Sequence, residues 1–287
     1  FFFKQKTAYE IKECDWSSDV CSSDLPDSQV SDWRVQAPEG WTRTSYRRAS
    51  LANWMTDPNR GAGKLAARVI VNRLWQHHFG RGLVATPNDF GVSGERPSHP
   101  ELLEWLASDL VQHGWKLKRL HRLIMTSSVW MQSGDSDEAR AQLDRENTLL
   151  WRRSPMRLEA EAIRDSMLSV SGLLDLQQFG PGTLDQNMRR RSIYFFIKRS
   201  QLIPMMMLFD WPEHLVSIGQ RPVTTIAPQA LMFMNSPQSR QWATAFAARL
   251  PATSPADSVQ GAWRIAFGRQ PSAAETQAAL KIGRAHV

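Results

Sequence analysis

The sequence predicts a mainly α fold: an irregular multi-helix globular domain with long structured loops and at most one small β element. Three observations carry this. Apolar residues recur at the three-to-four spacing of a helix along most of the chain. These runs are bracketed by caps and breakers: Gly80 and Gly114 after apolar helices, Ser236-Pro237 and Ser272 with Glu275 before others. Only one run, SIYFFIK at 192–198, has the aromatic and β-branched content of a strand.

The two ends are set aside first. Residues 1–25, FFFKQKTAYEIKECDWSSDVCSSDL, read as a translated sequencing adapter, and 282–287, IGRAHV, as its counterpart. Both cysteines, Cys14 and Cys21, fall in the first segment, so the stretch between the adapters has none. Disulfides, thiolate zinc sites and c-type haem attachment are thereby excluded from that stretch. Removing Lys4, Lys6, Lys12 and Arg284 with Glu10, Glu13, Asp15, Asp19 and Asp24 moves the net charge from +7 to +8. A basic surface favours anionic partners, but no nucleic-acid motif accompanies the charge and nucleic acid is not expected. No run approaches the ~18 apolar residues of a membrane helix.

In order, residues 26–46 carry Trp33, Pro38, Gly40 and Trp41 with little periodicity and read as a linker or the end of a lost upstream domain. The helical domain then spans 47–281. A short helix at 47–55 uses Leu51 and Trp54 for packing and stops at Asp57-Pro58, because the residue before proline resists the helical region. The helix at 64–79 organises the chain. It places Ala67, Ile70, Val71, Leu74 and Trp75 on one arc with His78, and Arg68, Asn72 and Gln76 on the opposite stripe. Gly80 is its left-handed cap, and RGLVATPNDFG after it is a loop of defined turns.

At 98–114 Ser98 and Glu101 have capping-box spacing, Pro100 takes a first-turn position, and Leu102, Leu103, Leu106 and Leu110 make the apolar face. The helix at 116–128 carries His121 on the side of Leu117, Leu120 and Ile124. Residues 134–147 are polar, with room for two helical turns. A helix is expected at 156–174, a Gly-Pro-Gly loop from 180, the strand at 192–198, and a short helix at 205–209. Helices at 228–234, 237–250 and 259–267, and one from Ala273, complete the chain.

The candidate chemistry gathers at the loop from Gly80 to His99. His78, Asp89, His99 and His121, with Arg73 beside them, are the candidate catalytic residues, since imidazoles converging with a carboxylate could move protons or hold a metal. The spacing matches no ligand signature: there is no HExxH and no His-x-His. A histidine on an apolar face is more often a satisfied core residue, so no metal is assigned. For Arg73 the structural expectation is a clamp on the loop through Asp89 and backbone oxygens. Met205, Met206 and Met207, beside Ile203 and Leu208, read as helix packing and not as a soft-metal site. Ser127 and Ser128 lack a nucleophile elbow, and Gly61-x-Gly63-Lys64 lacks the phosphate-loop pattern.

VNRLWQHHFGRGLVATPNDFG followed by PSHPELLEWLASDLVQHGWKLKRLHRLIMTSSVWMQS resembles the Planctomycete PSD-one domain family, a domain of unknown function. LLWRRSPMRLEAEAIRDSML, RRSIYFFIKR, TTIAPQALMFMNSP and AWRIAFGRQPSAAE extend the likeness, in order, over residues 50–279. The resemblance implies an exported, multidomain protein associated with Planctomycete cytochrome c domains, of which this chain is a fragment. It implies no catalytic residues. Haem is expected only in a separate cytochrome domain, and no cofactor in this stretch, which has no Cys-x-x-Cys-His. Two functions follow as expectations. One is a non-catalytic helical interaction or scaffold module whose partners are other domains of the same polypeptide, or a redox or polymer-degrading protein. The other is an enzyme domain, hydrolytic or redox-linked, with its site at the Gly80–His99 loop.

Overall fold

The computed structural model describes residues 33–36, 38–40, 45–198, 200–212 and 217–284. The segment read as the leading adapter lies outside them. Twelve α-helices are present among the described residues, with one 3-10 turn and no sheet, so the fold is mainly α. The chain divides into two compact units between Met156 and Arg157.

The first unit holds α1 (Arg47–Thr56), α2 (Gly63–Phe79), α3 (Pro100–Gln112), α4 (Leu117–Met125), α5 (Ser128–Met131) and α6 (Glu138–Leu143). Its core joins Ala67, Val71, Trp75 and Phe79 of α2 to Leu103, Leu106, Ala107 and Leu110 of α3, and to Leu120 and Ile124 of α4. Trp75 and Phe79 stack at 4.3 Å between ring centroids, and Trp130 of α5 meets Phe79 edge-on at 5.7 Å. Asp57 ends α1 in extended backbone and turns the chain by accepting from the Asn59 amide at 2.8 Å. It also accepts from the indole of buried Trp33 at 2.8 Å, which ties part of the 26–46 segment to α1. The Asn59 amide and the Trp33 indole hold the Asp57 carboxyl below its usual range.

Two local expectations for this unit are corrected. Ser98 does not cap α3: its amide and hydroxyl both donate to the Leu83 carbonyl, at 2.8 and 3.3 Å, and His99 occupies the cap position without a side-chain bond. Arg68 and Asn72, placed by periodicity on an outer polar stripe, are buried. Arg68 is turned inward by Glu104 of α3, which accepts from its Nε at 2.8 Å.

The second unit holds α7 (Ala160–Ser171), α8 (Pro204–Leu208), α9 (Ala227–Asn235), α10 (Pro237–Ala247), α11 (Pro255–Phe267) and α12 (Ala273–Arg284). One cluster packs Ala160 with Phe195, Ile203, Met206, Phe209 and Trp211, and another packs Leu168 with Met205 and Trp242. Met205 and Met206 are thus core, as expected. Ser236 caps α10, and Ser272 with Glu275 forms a reciprocal capping box on α12 at 2.8 and 3.2 Å. α12 continues through 282–284, the first residues of the segment read as the trailing adapter.

The helix expected from 156 begins at Ala160, because 155–159 carry no regular structure, Glu159 is extended and Arg157 is drawn to Asp210. The strand expected at 192–198 is a 3-10 turn, Ser192–Tyr194, followed by one isolated bridge between Thr183 and Phe195. The Asp165 carboxylate takes both the amide and the hydroxyl of Ser192 at 2.7 Å, and this local capture turns the chain where a strand would run on.

Candidate functional site

Gly80 closes α2 at φ +85, and the chain enters the loop with the cap amide bonded to the Gln76 carbonyl. Leu83 and Val84 then insert into the core. Asn72, fully buried, holds both sides of the Val84 peptide position: its amide donates to the Val84 carbonyl at 3.0 Å and its carbonyl accepts from the Val84 amide at 2.8 Å. Farther on, Thr86 donates to the Asp89 carbonyl at 2.8 Å and accepts from the Glu95 amide at 3.0 Å.

The five candidate residues do not converge as one constellation. Asp89 is occupied inside the loop, accepting from the Gly91 amide at 2.8 Å. Arg73 donates to Asn88 at 2.9 Å on the exposed side, so the clamp expected from Arg73 through Asp89 is made by its neighbour Asn72 through backbone groups. His99 stands at the start of α3, with Nδ1 3.0 Å from the Ser98 hydroxyl.

His78 and His121 do meet, Nε2 to Nδ1, at 2.8 Å. A hydrogen bond of this kind needs one ring to donate and the other to accept, so the shared position holds a single proton. His78 also lies edge-on to Trp130 at 4.9 Å, and the Arg153 guanidinium covers that indole at 3.5 Å. Burial lowers the pKa of His78, and His121, Arg153 and His77 lower it further by charge. Both rings are half-buried. No group of three or more His, Cys, Asp or Glu side chains is arranged to hold a metal among the described residues.

The second unit contains polar centres that periodicity alone does not reveal. Arg164 is 2 % exposed, yet it carries a charge. Its guanidinium donates to the carbonyls of Met188 and Arg190, the latter at 3.0 Å, and lies over the Phe195 ring at 4.6 Å. Burial lowers its pKa against the opposing charge of Asp165. A signal was available: Ala160, Arg164 and Leu168 are one turn apart, which puts a cation on the apolar stripe of α7.

Glu161 receives both terminal nitrogens of Arg221, at 2.7 and 3.1 Å, and the Trp211 indole at 2.9 Å. Burial pushes its carboxyl up, but these donors bring it below the ordinary value. Asp210 is balanced the same way by Thr224 and Arg157. The hydrogen-bond partners of Arg164, Glu161 and Asp210 lie 14 to 60 residues away, beyond the reach of a helical or turn pattern.

These features define a helical protein whose buried polar groups pin long loops to helices. The chain belongs to the PSD1 family, described as protein of unknown function (DUF1553), whose family model matches residues 47–282. No curated protein and no solved structure matches the chain. No helix among the described residues is long and apolar enough to cross a membrane.

Proposed function

We propose that the chain is a non-catalytic helical interaction module of a larger exported polypeptide, and that it seats other domains of that polypeptide. A redox or polymer-degrading protein is the alternative partner. One observation carries this reading. Ile193, Phe196 and Ile197 stand 72 %, 55 % and 56 % exposed within a single five-residue run, whereas Asn72, Arg73 and Asp89 at the 80–99 loop are taken up by internal bonds. Large apolar side chains concentrated in this way favour a docked neighbour.

The test is calorimetric titration of the chain with the adjoining domains of its polypeptide. Phe196→Asp and Ile197→Asp lie on the surface, leave the helical circular dichroism unchanged, and weaken that association about tenfold or more. Unaltered affinity in both variants refutes the docking surface. The enzyme reading has one observation in its favour, the His78–His121 pair, which could pass a proton. Elemental analysis separates the two readings. One tightly held metal per chain, lost in both His78→Ala and His121→Ala, overturns the non-catalytic assignment.

A further inference from the structure

Where α3 gives way to α4 the surface folds into an open concavity of about 780 Å³. Gln112, His113, Lys116, Lys118, Arg119 and Arg122 line it, so four permanent cations face one space. The turn beneath them is fixed. Gly114 and Trp115 both take positive φ, and the Trp115 amide closes α3 by bonding to the Leu110 carbonyl at 2.8 Å. Trp115 then packs against the core of the first unit.

The charge of this concavity is scarcely compensated. Among the described residues, Asp109 is the one carboxylate bonded to a lining residue, and it is buried. It takes Arg119 through two parallel bonds, Nε to Oδ2 at 3.0 Å and Nη2 to Oδ1 at 2.9 Å. His113 donates from Nδ1 to the Asp109 carbonyl oxygen at 2.9 Å. Asp109 therefore holds Arg119 and His113 in place, and the Arg119 pair keeps its carboxyl below the ordinary range. Among the described residues, no carboxylate forms an ion pair with Lys116, Lys118 or Arg122.

On α4, Lys118 and Arg122 are four residues apart and Arg119 and Arg122 three, spacings that bring side chains to within about 5–6 Å at their Cβ atoms. Like charges set so close destabilise a helix by a few tenths of a kcal/mol per pair unless an anion joins them. The helix thus carries an electrostatic cost that a bound anion would relieve.

We propose that this concavity binds an oligophosphate group, a chain of phosphates with three to four negative charges. Lys116, Lys118 and Arg122 would hold it, beside an Arg119 pre-oriented by Asp109. With Arg119 paired to Asp109 about three positive charges are left, which a single carboxylate or phosphate would not fully compensate. Apart from His113 the lining has no aromatic ring, so a nucleobase or sugar attached to the phosphates finds no face to stack on. Recognition is by charge, and it weakens with salt. The site is independent of the docking surface proposed above.

The experiment is calorimetric titration of the full chain with sodium tripolyphosphate, with ATP, with heparin and with a single-stranded oligonucleotide. Saturable one-to-one binding of tripolyphosphate is expected, with ATP within about threefold of it. Lys118→Glu and Arg122→Glu, both exposed, leave the circular dichroism unchanged and weaken tripolyphosphate binding about tenfold or more each, as loss of a charge-assisted bond implies. Absence of saturable binding, or binding indifferent to both substitutions, overturns the proposal. So does ATP binding far more tightly than tripolyphosphate, because the base would then be recognised. Heparin or the oligonucleotide binding more tightly than tripolyphosphate, and lost in the same variants, overturns it in favour of a polymer groove.

Discussion

Replacing Asn72 by Ala removes one side chain and orphans two backbone groups. Asn72 is fully buried, and Val84, whose amide and carbonyl it satisfies, is 2 % exposed. Each unpaired buried group costs about 1–3 kcal/mol, so the substitution costs about 2–6 kcal/mol. Set against the ~5–15 kcal/mol that holds a typical domain together, this is a large share. The assay is urea denaturation of the chain followed by tryptophan fluorescence, with hydrogen exchange read at the Val84 amide. A second variant dissects the pair. Asn72→Asp keeps an acceptor for the Val84 amide, loses the donor to its carbonyl, and buries a charge. It should be as damaging as Asn72→Ala near pH 7 and should recover in acid, since the protonated carboxyl can donate again. A loss under about 1 kcal/mol for Asn72→Ala, with the Val84 amide still protected, would refute the clamp.

Gly82→Ala tests the same region sterically. A Cβ there would lie 2.6 Å from the Val84 carbonyl oxygen and 2.7 Å from the Asn72 amide, so a loss of about 1–3 kcal/mol is expected by chemical denaturation. In the second unit, Arg164→Met strips the carbonyls of Met188 and Arg190 of their donor. It should cost about 3 kcal/mol or more in the same measurement, and Arg164→Lys should not restore it, because one ammonium lacks the fork that spans both oxygens. The pH dependence follows from His78, whose folded pKa lies below the ordinary 6.5. The unfolded chain takes up the proton first. The contribution of His78 is therefore complete above about pH 6.5 and is lost as pH falls through the lowered folded value. Thermal midpoints measured from about pH 8 to about pH 5 should fall less steeply in His78→Gln than in the parent chain; equal slopes would contradict the assignment.

Much of the helical framework was legible because its signals are local. Gly80 needs only its own φ, Ser236 only the amide three residues on, and the Ser272–Glu275 box only four residues. The strand at 192–198 was misread because its aromatic content reflects burial of Phe195 against α7 and α8, while Asp165, 27 residues earlier, decides its backbone. Asn72 was misplaced for a related reason. Periodicity assigns a polar residue outward, and only the returning Val84 peptide explains why this one faces in. Of the candidate site, the pairing of His78 with His121 joins residues 43 apart, and each was legible only as lying on an apolar face. The distance between them was not.

Arg164 has a bearing on how the length of this chain could change. It grips the carbonyls at 188 and 190 from a fixed point on α7, so the backbone from there to Ser192 has a set register. Residues added or removed between 188 and 192 would slide a carbonyl out of reach and leave the cation facing apolar rings. The preceding bend around Gly180 is held too, since Arg190 donates to the carbonyls of Gln177, Phe179 and Pro181, but these bonds are exposed. Losing exposed bonds costs less than stranding a buried cation, so insertions and engineered tags should be tolerated better near Gly180 than ten residues later, although both positions look like loop in the sequence.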